Sequence, residues 1–218
     1  MCSLPAPHTH ASAYDLHERT TLVAACDLDS SLLDKFRTTW GEEPTLYDDM
    51  SAMLAAENID IVSIATSDHT HAMLGIAAIE AGVPMIFCEK PMTTSLQDAD
   101  ALVGAVEDAG TSFSVDHSRR WEPFFRQAQD FIRSGRIGKV VRIVGTWGGR
   151  RALEYRNGSH MVDTVNMYAD ASPSWVIGVH EPGATGEEPA PKEDAESKII
   201  RMPSIVKIAE EITEYTHI

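Results

Sequence analysis

The chain reads first as short apolar runs alternating with amphipathic stretches. A helical stretch from Ala11 to Glu18 leads into Thr21–Asp27, which predicts a strand, and Ser30 to Trp40 predicts a helix. Asp48 to Glu57 is helical again, and Ile59 to Ala65 is a continuously apolar strand. His69 to Ala81 predicts a helix stopped by Gly82, since glycine accepts the left-handed backbone that ends helices. Val83 to Cys88 is a third strand. Ser95 to Ala109 is a helix with Ser95 as N-cap, Asp98 three residues on and Gly110 at its end. Thr111 to Val115 is a fourth strand. Apolar strands alternating with helices imply a parallel sheet covered on both faces.

Past residue 118 the pattern changes, so the expected boundary divides 1–118 from 119–218. Trp121 to Ser134 predicts a helix stopped by Gly135, and Lys139 to Trp147 a longer, partly alternating strand. Asn157 to Tyr168 is helical, and Trp175 to His180 is another strand. Glu181 to Glu196, rich in Pro, Gly and acid, is a loop, and Ser204 to Tyr215 a last amphipathic helix. The second region offers few strands for a broad sheet.

Composition narrows the function classes. With 218 residues, 43% hydrophobic and 23% charged, the chain is an ordinary globular one. No apolar run reaches the roughly 18 residues of a membrane span, and Met1 to His10 has no basic segment followed by an apolar one, so no secretory signal is read. The net charge of −15 argues against a nucleic-acid partner, which needs a basic face. Cys2, Cys26 and Cys88 are odd in number and lack metal-like spacing. They read as free thiols in a reducing cytoplasm, with a catalytic thiol as the alternative.

Chemistry gathers where strands end, because ligands of open parallel sheets sit at the carboxyl ends of the strands. Asp27 closes the first strand, where an acid can bond the adenosine ribose hydroxyls and repel a 2′-phosphate, favouring NAD over NADP. It can equally be a turn residue or a helix cap. Thr66 and Ser67, ending the next strand before His71, can bond phosphate or ribose at a helix start, or merely cap that helix. His69 and His71, two apart, do not share a helix face, so no metal pair is expected there and no metal elsewhere. Glu89-Lys90-Pro91 follows the third strand. A lysine in a cleft can hydrogen-bond a substrate hydroxyl, and Pro91 would fix the turn, a cis bond being one way to do so. A surface ion pair is the plain alternative. A dinucleotide sheet should also open with a strand and a glycine-rich turn, yet residues 1–20 contain no glycine.

Several motifs in order carry a resemblance. Ala65-Thr66, His71, Ala81-Gly82 and Glu89-Lys90-Pro91 lie within Ile59–Pro91. Asp116-His117-Ser118-Arg119-Arg120-Trp121, then Pro123, Ser134–Lys139 and Asn157-Gly158-Ser159-His160-Met161-Val162-Asp163 follow. Over roughly residues 10–180 the chain resembles the glucose–fructose oxidoreductase/inositol dehydrogenase/rhizopine-catabolism (Gfo/Idh/MocA) family. The resemblance implies the α/β class, as an incomplete Rossmann-type parallel sheet lacking its first strand and glycine-rich turn, followed by a shortened α+β second domain. It implies NAD, with NADP less favoured, and hydride transfer from a CH–OH group of a sugar, polyol or sugar acid. Lys90 then belongs to the catalytic pair and His160 takes the hydroxyl proton, as a group titrating near neutrality can.

Asp27, Thr66, Ser67, His71, Glu89 and Lys90 would contact cofactor. Arg120, Arg156 and Asp163 would line the substrate side. Asp163 lies three residues beyond His160 and could orient the ring or pair with a cation. One departure stands out: the family commonly places an Asp four residues before the catalytic histidine, and this chain has Arg156. A homo-oligomer is compatible with the resemblance. The rival expectations are a non-catalytic relative that binds a ligand or partner, and an inactive gene fragment.

Overall fold

The computed structural model describes residues 9–146 and 151–177, with side chains in the second stretch described from residue 156. The chain divides into two units, residues 1–116 and residues 117–218.

The first unit is a parallel α/β arrangement. α1 (His10–Leu16) begins in a capping box: the Thr9 side chain accepts from Ser12 N, and the Ser12 side chain accepts from Thr9 N. β1 (Ala24–Cys26) leads to α2 (Ser30–Trp40), whose N-cap Asp29 accepts from Ser31 N. Gly41, at φ 82°, ends that helix in the left-handed region. β2 (Thr45–Tyr47), for which the apolar pattern had no expectation, pairs parallel with β1. α3 (Met50–Ala56) and β3 (Ile61–Ile64) follow. A single 3-10 turn over Asp68–Thr70 then winds into α4 (His71–Glu80). β4 (Met85–Cys88), α5 (Leu96–Ala109) and β5 (Ser112–Val115) complete the unit. α5 has the expected caps: Ser95 accepts from Asp98 N, and Gly110 sits at φ 68°.

β3, β4 and β5 form one parallel ladder in the order β3-β4-β5, while β1 and β2 form a second. The two ladders share no strand pairing among the described residues. A cleft of about 1810 Å³ lies along them, lined by β1, β3 and parts of α1, α2 and α4. β1 is shorter than the apolar run Thr21–Asp27, because its pairing with β2 covers only Ala24 to Cys26. The core is built on β3 and β4: Val62, Ile64, Ile86 and Cys88 alternate inward and meet Ala78 and Ile79 of α4, Val83, and Leu102 of α5. Gly75 lets α4 and α5 approach, since a Cβ there would lie 3.0 Å from Leu102 Cδ1 and 3.3 Å from Phe113 Cε2. On the other face of the sheet Ser63 and Phe87 are half-buried, and the His10 ring stacks on Phe87 at 5.0 Å between centroids.

The regular elements among the described residues of the second unit are helices. After a 3-10 turn at Ser118–Arg120, α6 (Pro123–Arg133) starts on a proline at its first position and α7 (Arg151–Ala169) runs for 19 residues. Gln129 Nε2 donates to Met167 O at 3.1 Å across the pair. The strand expected over Lys139–Trp147 does not form at residues 139–146, and Trp147 lies outside the described residues. An alternating segment becomes a strand only if a neighbouring strand takes its N–H and C=O groups. Here the segment lies against α7 instead, with Gly145 so close that a Cβ would stand 3.0 Å from Met161. The strand expected over Trp175–His180 is likewise irregular at 175–177. The loop 181–196 and the helix 204–215 fall outside the described residues, as does the rest of that strand. No strand occurs among the described residues of this unit.

Candidate functional site

The carboxyl ends of the parallel strands place the first group of side chains. β1 ends at Cys26, and Asp27, which follows, keeps its backbone in the ladder by donating its N–H to Tyr47 O at 3.1 Å. Its Oδ1 accepts from Asp29 N at 2.9 Å, the local turn that sets up the cap of α2. Asp27 thus does the turn-forming work expected of it as a bland residue, at the very strand end where a ribose would be met.

Thr66 and Ser67 lie exposed beyond β3. Thr66 Oγ1 is 2.7 Å from Thr70 Oγ1, and Ser67 makes no side-chain cap, although Thr70 N donates to its carbonyl at 2.9 Å. His71 is elsewhere in character: it is 1% exposed, with Nδ1 2.8 Å from Pro91 O and Nε2 3.1 Å from Thr66 O. Both ring nitrogens face backbone carbonyls, which can only accept. The ring ties the β3 exit to the turn after β4, so its reach is spent on backbone.

That turn holds Glu89, Lys90 and Pro91, with the Lys90–Pro91 peptide cis. Glu89 N donates to Ile64 O at 2.8 Å, and Lys90 N donates to Glu89 Oε2 at 3.1 Å. Lys90 is half-buried. Against this turn stands a residue the sequence reading passed over. His10 Nδ1 meets Ser63 Oγ at 2.6 Å, and its Nε2 lies 3.5 Å from both Glu89 Oε1 and Asp116 Oδ2. The Asp116 carboxylate, in long hydrogen-bonding contact, raises the His10 pKa above the usual imidazole value. Burial opposes that, and the charge of Glu89 adds to the rise. The signal was faint: His10 opens the first helix, and Asp116 heads a quoted motif, but they are far apart in sequence.

The environments of the two described thiols oppose a catalytic role, and Cys2 lies outside the described residues. Cys88 is wholly buried, and desolvation with the neighbouring Glu89 charge pushes it up to about 12. Burial, followed by Asp49 and other acids, also raises Cys26. A nucleophilic thiolate needs the opposite environment.

In the second unit α7 carries His160, and the ring of His117 meets it edge-on at 5.9 Å. Asp163, one turn along, is gripped by Arg120, whose Nε lies 2.8 and 2.9 Å from the two carboxylate oxygens and whose Nη2 lies 2.8 Å from Oδ1. His117 Nδ1 stands 3.8 Å from the same Oδ1. Of the two roles open to Asp163, pairing with a cation is the one found. Arg156 is exposed, one turn before His160.

A family model described as oxidoreductases with an NAD-binding Rossmann fold matches residues 5–117, more than half of the chain. The chain belongs to the Gfo/Idh/MocA oxidoreductase family. It is similar to the D-apiose dehydrogenase of Paraburkholderia graminis, 40% identical over 129 residues, which cover 59% of this chain and 34% of that one. The myo-inositol 2-dehydrogenase of Thermotoga maritima is 28% identical over 148 residues, 67% of this chain and 44% of its own. Among solved structures, an Agrobacterium radiobacter oxidoreductase in complex with NAD+, L-tartaric acid and magnesium aligns with a TM-score of 0.63 at 27% identity. It covers 72% of this chain and 49% of that one. The chain therefore spans about a third to a half of the length of these Gfo/Idh/MocA relatives.

The side chains fit an NAD in part. Asp27, Thr66, Ser67 and the Glu89-Lys90 turn offer ribose- and amide-bonding groups at successive strand ends. The diphosphate asks for a glycine-bearing helix start with open N–H groups. Among the described residues none is present, and the start of α1 is closed by its own capping box.

Proposed function

We propose that the protein carrying this sequence is an NAD-dependent oxidoreductase acting on a secondary alcohol of a sugar, polyol or sugar acid. The observation that supports it most is the placement at strand ends: Asp27, Thr66-Ser67 and Glu89-Lys90 follow strands of the two parallel ladders of a Rossmann-type unit in a member of an oxidoreductase family. NAD, when bound, supplies the hydride acceptor.

The remaining work falls to this chain. Asp27 would receive the adenosine ribose and exclude a 2′-phosphate by its charge. Thr66, Ser67 and Glu89 would orient the cofactor along the strand ends, with His71 setting the distance between two of those turns. Lys90 would hydrogen-bond the substrate oxygen as charge grows there, and His160 would accept the hydroxyl proton. Arg120, locked to Asp163, would shape the substrate side from α7's neighbourhood. Arg156 would bring a guanidinium suited to a carboxylate, which turns the choice among substrates toward sugar acids.

The test is a panel of aldoses including apiose, inositols, and hydroxy acids including tartrate, each with NAD and with NADP, following NADH absorbance. Turnover with NAD on one class, lost in Lys90→Ala and in His160→Ala while circular dichroism stays native, supports the mechanism. Turnover unchanged in either variant removes that residue's role, and a preference for NADP removes the argument from Asp27. A preference for neutral inositols over acids takes Arg156 out of recognition.

A further inference from the structure

We propose that His10, Glu89 and Asp116 form a binding site for a divalent cation of the zinc or manganese kind. The proposal does not depend on the oxidoreductase reading, and its test involves neither NAD nor turnover.

Topology brings the three together, although 106 positions separate the first from the last. β4 and β5 pair with Cys88 opposite Val115, so the next residue of each strand, Glu89 and Asp116, emerges side by side. Both are held by backbone bonds, Glu89 N to Ile64 O at 2.8 Å and Asp116 N to Cys88 O at 2.7 Å. The first turn of α1 lowers His10 over them, with Phe87 under the ring. All three side chains are largely shielded, at 18, 35 and 17% exposure for His10, Glu89 and Asp116. Their nearest ligand atoms lie within 4.8 Å of one another.

The decisive feature is the orientation of the imidazole. Nδ1 is 2.6 Å from Ser63 Oγ, which fixes the ring and can take its N–H, as an outer partner does for metal-bound histidines. Nε2 then turns its lone pair toward two carboxylates, and it is a fully buried atom with no well-formed hydrogen bond. Three electron-rich groups face one another, so a cation belongs between them. A proton can serve only one of the two carboxylates at a time, since a charge-assisted N–H···O bond closes to about 2.7–2.9 Å and aims at one oxygen. Nε2 instead stands 3.5 Å from each. An ion with bonds of about 2.0–2.2 Å in tetrahedral geometry sets its donors roughly 3.3–3.6 Å apart. The two measured separations fall in that range.

The ligand types narrow the ion. One imidazole with two carboxylates suits Zn(II), Mn(II) or Fe(II), and is less suited to Mg(II) or Ca(II), which prefer all-oxygen shells. Three protein donors leave a fourth position for water. Glu89 Oε2 is already held by Lys90 N, which leaves Oε1 for the ion. Bound there, the ion would tie α1 to the ends of β4 and β5.

The experiment uses the full 218-residue chain after chelation and buffer exchange. ZnCl2, MnCl2, CoCl2 and MgCl2 are titrated by calorimetry, with melting followed by circular dichroism. The expected result is one equivalent of Zn or Co at about micromolar affinity, a raised melting temperature, Co(II) absorption of a four-coordinate ion, and weaker Mg. His10→Ala and Asp116→Asn should each weaken binding by about tenfold or more. His17→Ala, an exposed histidine outside the cluster, should leave it unchanged. His10→Asn keeps a polar side chain and checks the result should the alanine variant fail to fold. Two outcomes overturn the site: no Zn, Mn or Co binding below millimolar concentration, or binding that persists in both His10→Asn and Asp116→Asn.

Discussion

Replacing His71 by alanine tests whether this ring is a structural clamp. The side chain is 1% exposed and joins two loops through contacts of 2.8 Å to Pro91 O and 3.1 Å to Thr66 O. Removing it strands the buried Pro91 carbonyl, which costs about 1–3 kcal/mol for an acceptor left without a donor. The Thr66 side is exposed and water can serve its carbonyl, so little is added there. The emptied ring volume adds a cavity contribution of about 2 kcal/mol, at the low end for large-to-small changes. The loss expected is therefore about 3–5 kcal/mol, a large part of the roughly 5–15 kcal/mol of a typical domain. His69, two residues earlier and exposed, is the internal control, and His69→Ala should change stability by no more than about 0.5 kcal/mol. Urea unfolding followed by circular dichroism measures both. A loss below about 1 kcal/mol for His71→Ala, or equal losses for the two variants, refutes the clamp.

Further outcomes follow from individual contacts. Gly75→Ala should destabilise by about 1–3 kcal/mol because its methyl meets Leu102 and Phe113. Gly104→Ala, in α5 with nothing within 4 Å, should gain up to about 1 kcal/mol of helix preference; urea midpoints of opposite sign check the pair. The raised His10 pKa makes its contribution full below the unfolded-state value near 6.5 and lost as pH rises through the higher folded value. With chelator present, stability of the wild type should fall over that window, and His10→Ala should flatten the fall. Cys88, pushed up to about 12 and buried, should resist alkylation at mildly alkaline pH until the chain unfolds, as mass spectrometry of iodoacetamide adducts can show.

The helices of the first unit were legible because their ends are chemically marked. Asp29 and Gly41 bracket α2, and Ser95 and Gly110 bracket α5, so the bounds come from local hydrogen bonds and left-handed glycines. β3 and β4 were legible from continuous apolar runs. β2 was not: three residues, none of them buried, leave no hydrophobic signature, and only pairing with β1 makes Thr45–Tyr47 a strand. Residues 139–146 failed the other way, since alternation was present and no partner strand occurs among the described residues. Of the candidate site, the placement of Asp27, Thr66 and Glu89-Lys90 at strand ends could be read from position alone. The His10 cluster could not, because no spacing relates residues that meet only through helix and sheet packing. Asp163's grip by Arg120 was open in the sequence, where a cation partner and an orienting role looked alike.

The separation of the sheet into two ladders bears on cooperativity. A domain opens piecewise where few buried contacts join its parts, and no strand pairing among the described residues joins β1 to β3. The larger ladder holds the buried core around Ile86 and Leu102. The smaller has three paired positions and two strands, a size that is marginal without outside support. Its persistence depends on packing against α2 and α3, whose residues are almost all at least partly exposed. Opening of the Asp27 end can therefore proceed while the Glu89-Lys90 end stays folded. The two extremities of this strand-end edge would then be governed by separate opening equilibria, and an extended ligand spanning both would act as the missing coupling between them.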